Sequence, residues 1–214
     1  LDEIQKRLQQ LFEQQNAINK EVNKLDQNSK SATAQRFSQE QQRNLDEFEN
    51  ILSLMDDASS MVEPYSKTSS EELSSLFESE LSEETELSLT EAYENLKNEN
   101  FQEAQISSTS SLYNLDNMMQ KMRNIEQGFQ KETVSKMAKK FEKLMQNLLY
   151  LSSQEENLKS EVDEAYRNSP RLKSLAAQQQ VLQDQLQSLT NQMLELSKET
   201  FAITPEIGRG LGKA

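Results

Sequence analysis

The side chains able to do chemistry in this chain are numerous but of few kinds. Asp and Glu number 36 among 214 residues, whereas His and Cys are both absent. An imidazole base, a histidine-dependent triad, a thiol nucleophile and a His/Cys metal site therefore have no residues to build them. Paired acids stand at Glu83-Glu84 and Glu155-Glu156, and converging carboxylates in a pocket are what glycoside hydrolysis or a di-metal centre would use. Neighbouring acids are equally what an exposed helix carries, and no pattern here implies a pocket. Gly208, Gly210 and Gly212 follow a helix start at Thr204-Pro205-Glu206. They do not link a strand to a helix, as a phosphate cradle must. The expectation is a non-enzymatic chain with no catalytic, cofactor-binding or metal-binding residues, no cofactor and no small-molecule substrate.

Two sets of residues bear instead on association. Met118, Met119, Met122, Met137 and Met145 could mark an adaptable groove, although they share phase with leucines and so read first as seam filling. Gln15, Glu155 and Gln179 interrupt apolar stripes. Polar residues in a seam weaken it while specifying register and partner number, and Glu155 could also reach water from the edge of a seam.

The elements that carry these residues are helices. Only 34% of the chain is hydrophobic, with Gly 4, Pro 3 and Trp 0, a balance favouring few turns and long helices. Phe141, Leu144, Leu148, Leu151, Glu155, Leu158, Val162 and Ala165 step by alternating threes and fours, one face of a helix. After Asn168-Ser169-Pro170 the rhythm returns in Leu172, Leu175, Gln179, Leu182, Leu186, Leu189, Met193 and Leu196. So short a turn makes the two helices antiparallel, with Ser169 as N-cap and Pro170 in the first turn. Folding there opposes Leu148 to Leu189 and Leu158 to Gln179.

Ile4, Leu8, Leu11, Gln15, Ile18, Val22 and Leu25 form an earlier stripe, giving a helix to about Asn28. A second helix, from about Ala34 to Met61, carries Leu45, Phe48, Leu52 and Met55; this pair admits more than one register. Residues 1–62 are thus an N-terminal helical hairpin, ended by Glu63-Pro64. Residues 63–85 read as an acidic Ser/Glu-rich stretch, either short helical turns or a mobile linker. Residues 86–200 hold a helix–turn–helix around Asn98-Glu99-Asn100, a long helix with a kink or break expected near Gly128 to Thr133, and the antiparallel hairpin turning at 168–170. Residues 201–214 start a further helix. The fold class is all-α: elongated antiparallel helical hairpins forming a coiled-coil bundle.

The formal net charge of −13 argues against nucleic acid, whose phosphates require a basic footprint. Glu dominates from Glu63 to Glu103, and the run from Lys121 to Lys143 turns basic. Solvated helix faces account for both, with a docking patch as the alternative. No stretch approaches the ~18 apolar residues of a membrane span. The chain opens at Leu1 already in heptad phase and ends at Gly212-Lys213-Ala214, so a segment of a longer protein is expected, with any membrane anchor outside it.

Leu148-Leu149-Tyr150-Leu151-Ser152-Ser153-Gln154-Glu155, Asn168-Ser169-Pro170-Arg171, Ala177-Gln178-Gln179-Gln180 and Phe201 followed by Thr204-Pro205-Glu206-Ile207 resemble the C-terminal half of large bacterial envelope proteins. These are Bacteroidota-like, membrane-anchored proteins with N-terminal membrane helices followed by Gln-, Glu- and Met-rich coiled coil. The segment Ala92 to Leu115 looks like their helix–turn–helix element, so the resemblance covers roughly residues 86–214. It implies an upstream anchor and a cell-envelope setting, with the periplasm the favoured side; it transfers no site residues.

The functional expectation is a structural or scaffolding segment, a helical spacer or assembly surface that meets protein partners or copies of itself. The alternative is a binding module capturing a partner helix through an apolar or acidic face. Met145, Leu149, Val181 and Leu194 lie beside the hairpin stripes and are the candidate interaction residues, since a two-helix seam cannot cover them. The Leu112–Phe129 segment, the N-terminal pair or another chain could pack there, and the same chain is expected to supply most of the cover.

Overall fold

The computed structural model of the chain describes residues 1–25, 31–165 and 170–203, the side chains of 199–203 excepted. Regular structure among the described residues is entirely α-helical. Six helices follow in order: α1 (Asp2–Val22), α2 (Ser31–Val62), α3 (Lys67–Phe77), α4 (Glu80–Lys97), α5 (Phe101–Glu164) and α6 (Pro170–Ile203). The chain is all-α, as its stripes predict. It divides into two compact units, Leu1–Lys131 and Glu132–Ala214, and α5 contributes residues to each.

In the first unit α2 packs against α1, α3 and α4. Its Phe48, Ile51 and Met55 are wholly buried with Leu8 and Leu11 of α1, Leu73 of α3, Leu89 of α4, and Leu115, Met118 and Met122 of α5. Each such side chain withdrawn from water contributes roughly 1.5–3 kcal/mol, which is what holds helices that would be marginal alone. A second cluster joins Ile18, Val22 and Leu25 to Phe37, Leu96 and Ala104.

Helix ends differ from the stripes by as much as one to two turns. Asn23 closes α1 by donating its N–H to Asn19 O at 3.0 Å, short of Asn28. The acidic stretch holds all of α3 and the start of α4. Ser66 and Ser79 cap these helices, their hydroxyls accepting from Ser69 N–H at 3.1 Å and Ser82 N–H at 3.3 Å. Small residues do much of the packing: Ser82, Thr85, Ser88 and Ala92 are buried along α4 beside Leu89. The Ser82 and Ser88 hydroxyls donate to the carbonyls of Leu76 and Thr85, so burial leaves neither unsatisfied. The tight connection at 98–100 turns on Glu99, whose φ of 61° lies in the left-handed region.

The break expected near Gly128 to Thr133 does not occur, because α5 is helical throughout. One glycine costs a helix only about 1 kcal/mol. A Cβ at Gly128 would meet Ser69 and Glu72 of α3 at 3.9 and 4.0 Å, ordinary van der Waals distances, so the packing there does not demand glycine.

In the second unit, the last part of α5 and α6 run in opposite directions. Lys140, Lys143 and Leu144 line one groove with Ser188, Asn191 and Leu196, whereas Leu158 and Val162 line another with Gln179. Leu144, Leu151, Leu189 and Leu196 form the core, flanked by Met137 and Leu182. The turn residues Asn168 and Ser169 and the expected helix start at Thr204-Pro205-Glu206 lie outside the described residues. Among the described residues no helix is long and apolar enough to cross a membrane.

Candidate interaction surface

The polar residues that interrupt the stripes have different fates. Gln15 is fully buried in the first unit. Its Nε2 donates to Gln41 Oε1 at 3.1 Å and Ser108 Oγ at 3.2 Å, and its Oε1 accepts from Asn44 Nδ2 at 2.8 Å. A polar layer from α1, α2 and α5 thus lies within the bundle interior. Gln41 Nε2 is buried there without a hydrogen-bond partner among the described residues. Glu155 is exposed and Gln179 is half-buried, both lining the groove near the α5–α6 turn.

Met118, Met119 and Met122 are core residues of the first unit, so the methionine series makes no continuous groove. Leu115 and Ile125 of the same helix segment belong to that core as well. The groove between α1 and α2 is lined by charges of both signs, including Glu3, Lys6, Glu40 and Arg43. Arg7 and Glu47 close it with a two-pronged pair at 2.8 and 3.1 Å. Such compensated charge presents little net field to a ligand. In the acidic stretch, exposed Lys67 and Glu71 pair at 3.4 Å one turn apart, as on a solvated face. No group of three or more Asp or Glu among the described residues is placed to hold a metal ion.

One carboxyl stands apart electrostatically. Glu126 has its pKa raised from 4.5 to about 7, chiefly by burial and then by a hydrogen bond to and repulsion from Asp2, with the Leu1 amine acting the other way. It lies where α5 meets the start of α1.

The hairpin presents a different kind of surface. Residues one heptad apart, Leu144, Leu151 and Leu158 on α5 and Leu189 and Leu196 on α6, are buried. The alternate stripe residues stay open: Phe141 is 51% exposed, Leu148 37%, Leu186 49% and Met193 47%. The two grooves give the reason. Residues flanking the buried rows, Lys140 and Gln192, line one long side of the hairpin. Residues flanking the open rows, Ser152, Glu155 and Lys159, line the other side with Gln179. In antiparallel helices the equivalent flanks of both stripes fall on one side, so both open rows share a face.

All four candidate residues are exposed: Met145 by 42%, Leu149 by 66%, Val181 by 53% and Leu194 by 56%. Met145, Leu149 and Leu194 continue the open face. Val181 does not, because at about 100° per residue it lies more than ~100° around α6 from Leu194. Phe141, Leu148, Leu186 and Met193, read from sequence as seam residues, belong to this face too. The signal that separates them is subtle: within each heptad the exposed member is the one beside further apolar residues. Comparison with protein-family models, curated proteins and solved structures gives no match for this chain.

Proposed function

We propose that this chain is a non-catalytic scaffold segment of a bacterial envelope protein, acting through helix-to-helix packing as a spacer and assembly surface. The observation that carries the assembly role is the open face of the α5–α6 hairpin, where Leu149 is 66% and Leu194 56% exposed. Contiguous apolar surface of this kind is the mark of an association site. The envelope setting rests on the resemblance of residues 86–214 to membrane-anchored coiled-coil proteins. A module that captures a foreign helix is the second reading, favoured by the same face.

The test is co-purification of chains with the intact protein from cells, comparing the native sequence with Leu149→Glu/Leu194→Glu. Loss of co-purifying chains, whether copies of the protein or others, is expected while the variant accumulates normally. An unchanged set of associated chains would overturn the assembly role.

A further inference from the structure

The open face of the hairpin has four features that together identify its occupant. The first is periodicity. The buried rows and the open rows both repeat every seven residues, so an isolated hairpin satisfies only half of each stripe. Stripes of this width are those of helices in bundles, where a third and fourth helix cover the remaining rows.

The second is extent. Phe141, Met145, Leu148 and Leu149 on α5 and Leu186, Met193 and Leu194 on α6 are 37% to 66% exposed. At ~150–200 Å² for a fully exposed side chain of this size, they leave roughly 600 Å² of apolar surface open. A standard interface buries about 800 Å² per partner, and Ser152, Gln183, Gln187 and Thr190 rim the same face to supply the difference.

The third is charge. The chain carries −13 overall, which opposes self-association through most of its surface. On this face between residues 138 and 152 of α5 and 183 and 197 of α6, however, Glu142 is the single charged residue. Lys139, Lys140, Lys143, Asp184 and Glu195 all project from other sides of their helices. Over this stretch two copies can therefore meet with little like-charge opposition, and toward the turn the same side carries Glu155, Glu156 and Lys159, charges of both signs.

The fourth is symmetry. Two antiparallel helices with matching stripes make a face that looks alike from either end. Such a patch can meet its own copy about a two-fold axis in more than one alignment and still oppose apolar rows to apolar rows.

We propose that the open face of the α5–α6 hairpin is closed by the same face of a second copy, forming a two-fold four-helix bundle. This deepens the scaffold reading by naming the partner, and rests on it. Phe141, Leu148, Leu186 and Met193 fill the new core, with Met145, Leu149 and Leu194 at its margins. The groove at Lys140, Lys143 and Gln192 remains on the outside, facing solvent.

Sedimentation equilibrium of the purified full chain tests the proposal. A dimer of the 24.6 kDa chain is expected at about 50 μM, well above the micromolar affinity such an interface supports. Leu149→Glu/Leu194→Glu should weaken dimerisation at least ~tenfold with helicity retained. Because the chain has no cysteine, a single Leu149→Cys is an independent reporter should the double variant lose its helices. Its thiol should be shielded from alkylation as concentration rises through dimerisation, whereas that of Gln192→Cys on the opposite side should not. A native chain that is monomeric at ~50 μM, a dimer insensitive to both glutamates, or equal shielding of the thiols at 149 and 192 would each overturn the proposal. If the purified chain is monomeric while the glutamate variant still loses co-purifying chains from cells, the scaffold reading stands and the partner is another protein.

Discussion

Asn44 donates its amide to Gln15 across 2.8 Å in the interior of the first unit, and Gln15 in turn donates to Gln41 and Ser108. One side chain on α1 therefore satisfies polar groups on α2 and α5. Gln15→Leu would keep the volume but strand the Asn44 amide and the Gln41 carbonyl in the core. Each buried polar group left unpaired costs about 1–3 kcal/mol, so a loss of roughly 2–4 kcal/mol in urea unfolding is expected. The triple change to leucine at Gln15, Gln41 and Asn44 removes the stranded groups together and should recover most of that loss. Gln15→Leu alone unfolding at the native urea concentration would contradict this account of the layer.

How much of this was legible beforehand depends on side-chain type. Leucine spacing was enough to place Leu144, Leu151, Leu158, Leu189 and Leu196 at the hairpin interface, since an apolar heptad has few other uses. The packing of 64–85 was not legible. Ser69, Ser82 and Thr85 are buried, yet such small hydroxyl residues carry little hydropathic signal, and the Ser82 and Thr85 hydroxyls are satisfied by helix carbonyls that sequence does not show. Gln15 was visible as an interruption, but its partners Gln41 and Ser108 lie far off in the chain. Of the candidate surface, Met145, Leu149 and Leu194 were evident as apolar surplus. That Phe141 and Met193 join them, and Val181 does not, follows from which side of each stripe packs inward.

Glu126 makes stability depend on pH. In the unfolded chain its carboxyl ionises near 4.5, whereas burial and then Asp2 raise this to about 7 in the fold. The folded state thus disfavours the charged form. Stability contributed by this group is present below about pH 4.5, falls as pH rises to about 7 and stays reduced above. Glu126→Gln removes the ionisation while keeping the shape. Its midpoint of thermal unfolding should exceed the native one at pH 8, with the difference shrinking toward pH 4.5. Parallel native and variant profiles across that window would contradict the role assigned to burial.

The hairpin register can be read chemically. Leu151 packs in one cluster with Leu189 and Leu196, and matching the two stripes about the turn sets position 151 opposite 186. Position 193 lies one heptad further along α6, about 10 Å along the axis. A disulfide demands Cα atoms within about 7 Å, and the chain has no cysteine to interfere. The pair Leu151→Cys/Leu186→Cys should therefore oxidise within one chain far faster than Leu151→Cys/Met193→Cys, measured by gel shift at protein concentrations low enough to exclude dimers. Faster closure of the 151–193 pair would mean that the helices are offset by a heptad, moving Phe141 and Leu148 out of line with Met193 and Leu186. The shared apolar face would then be broken at its centre.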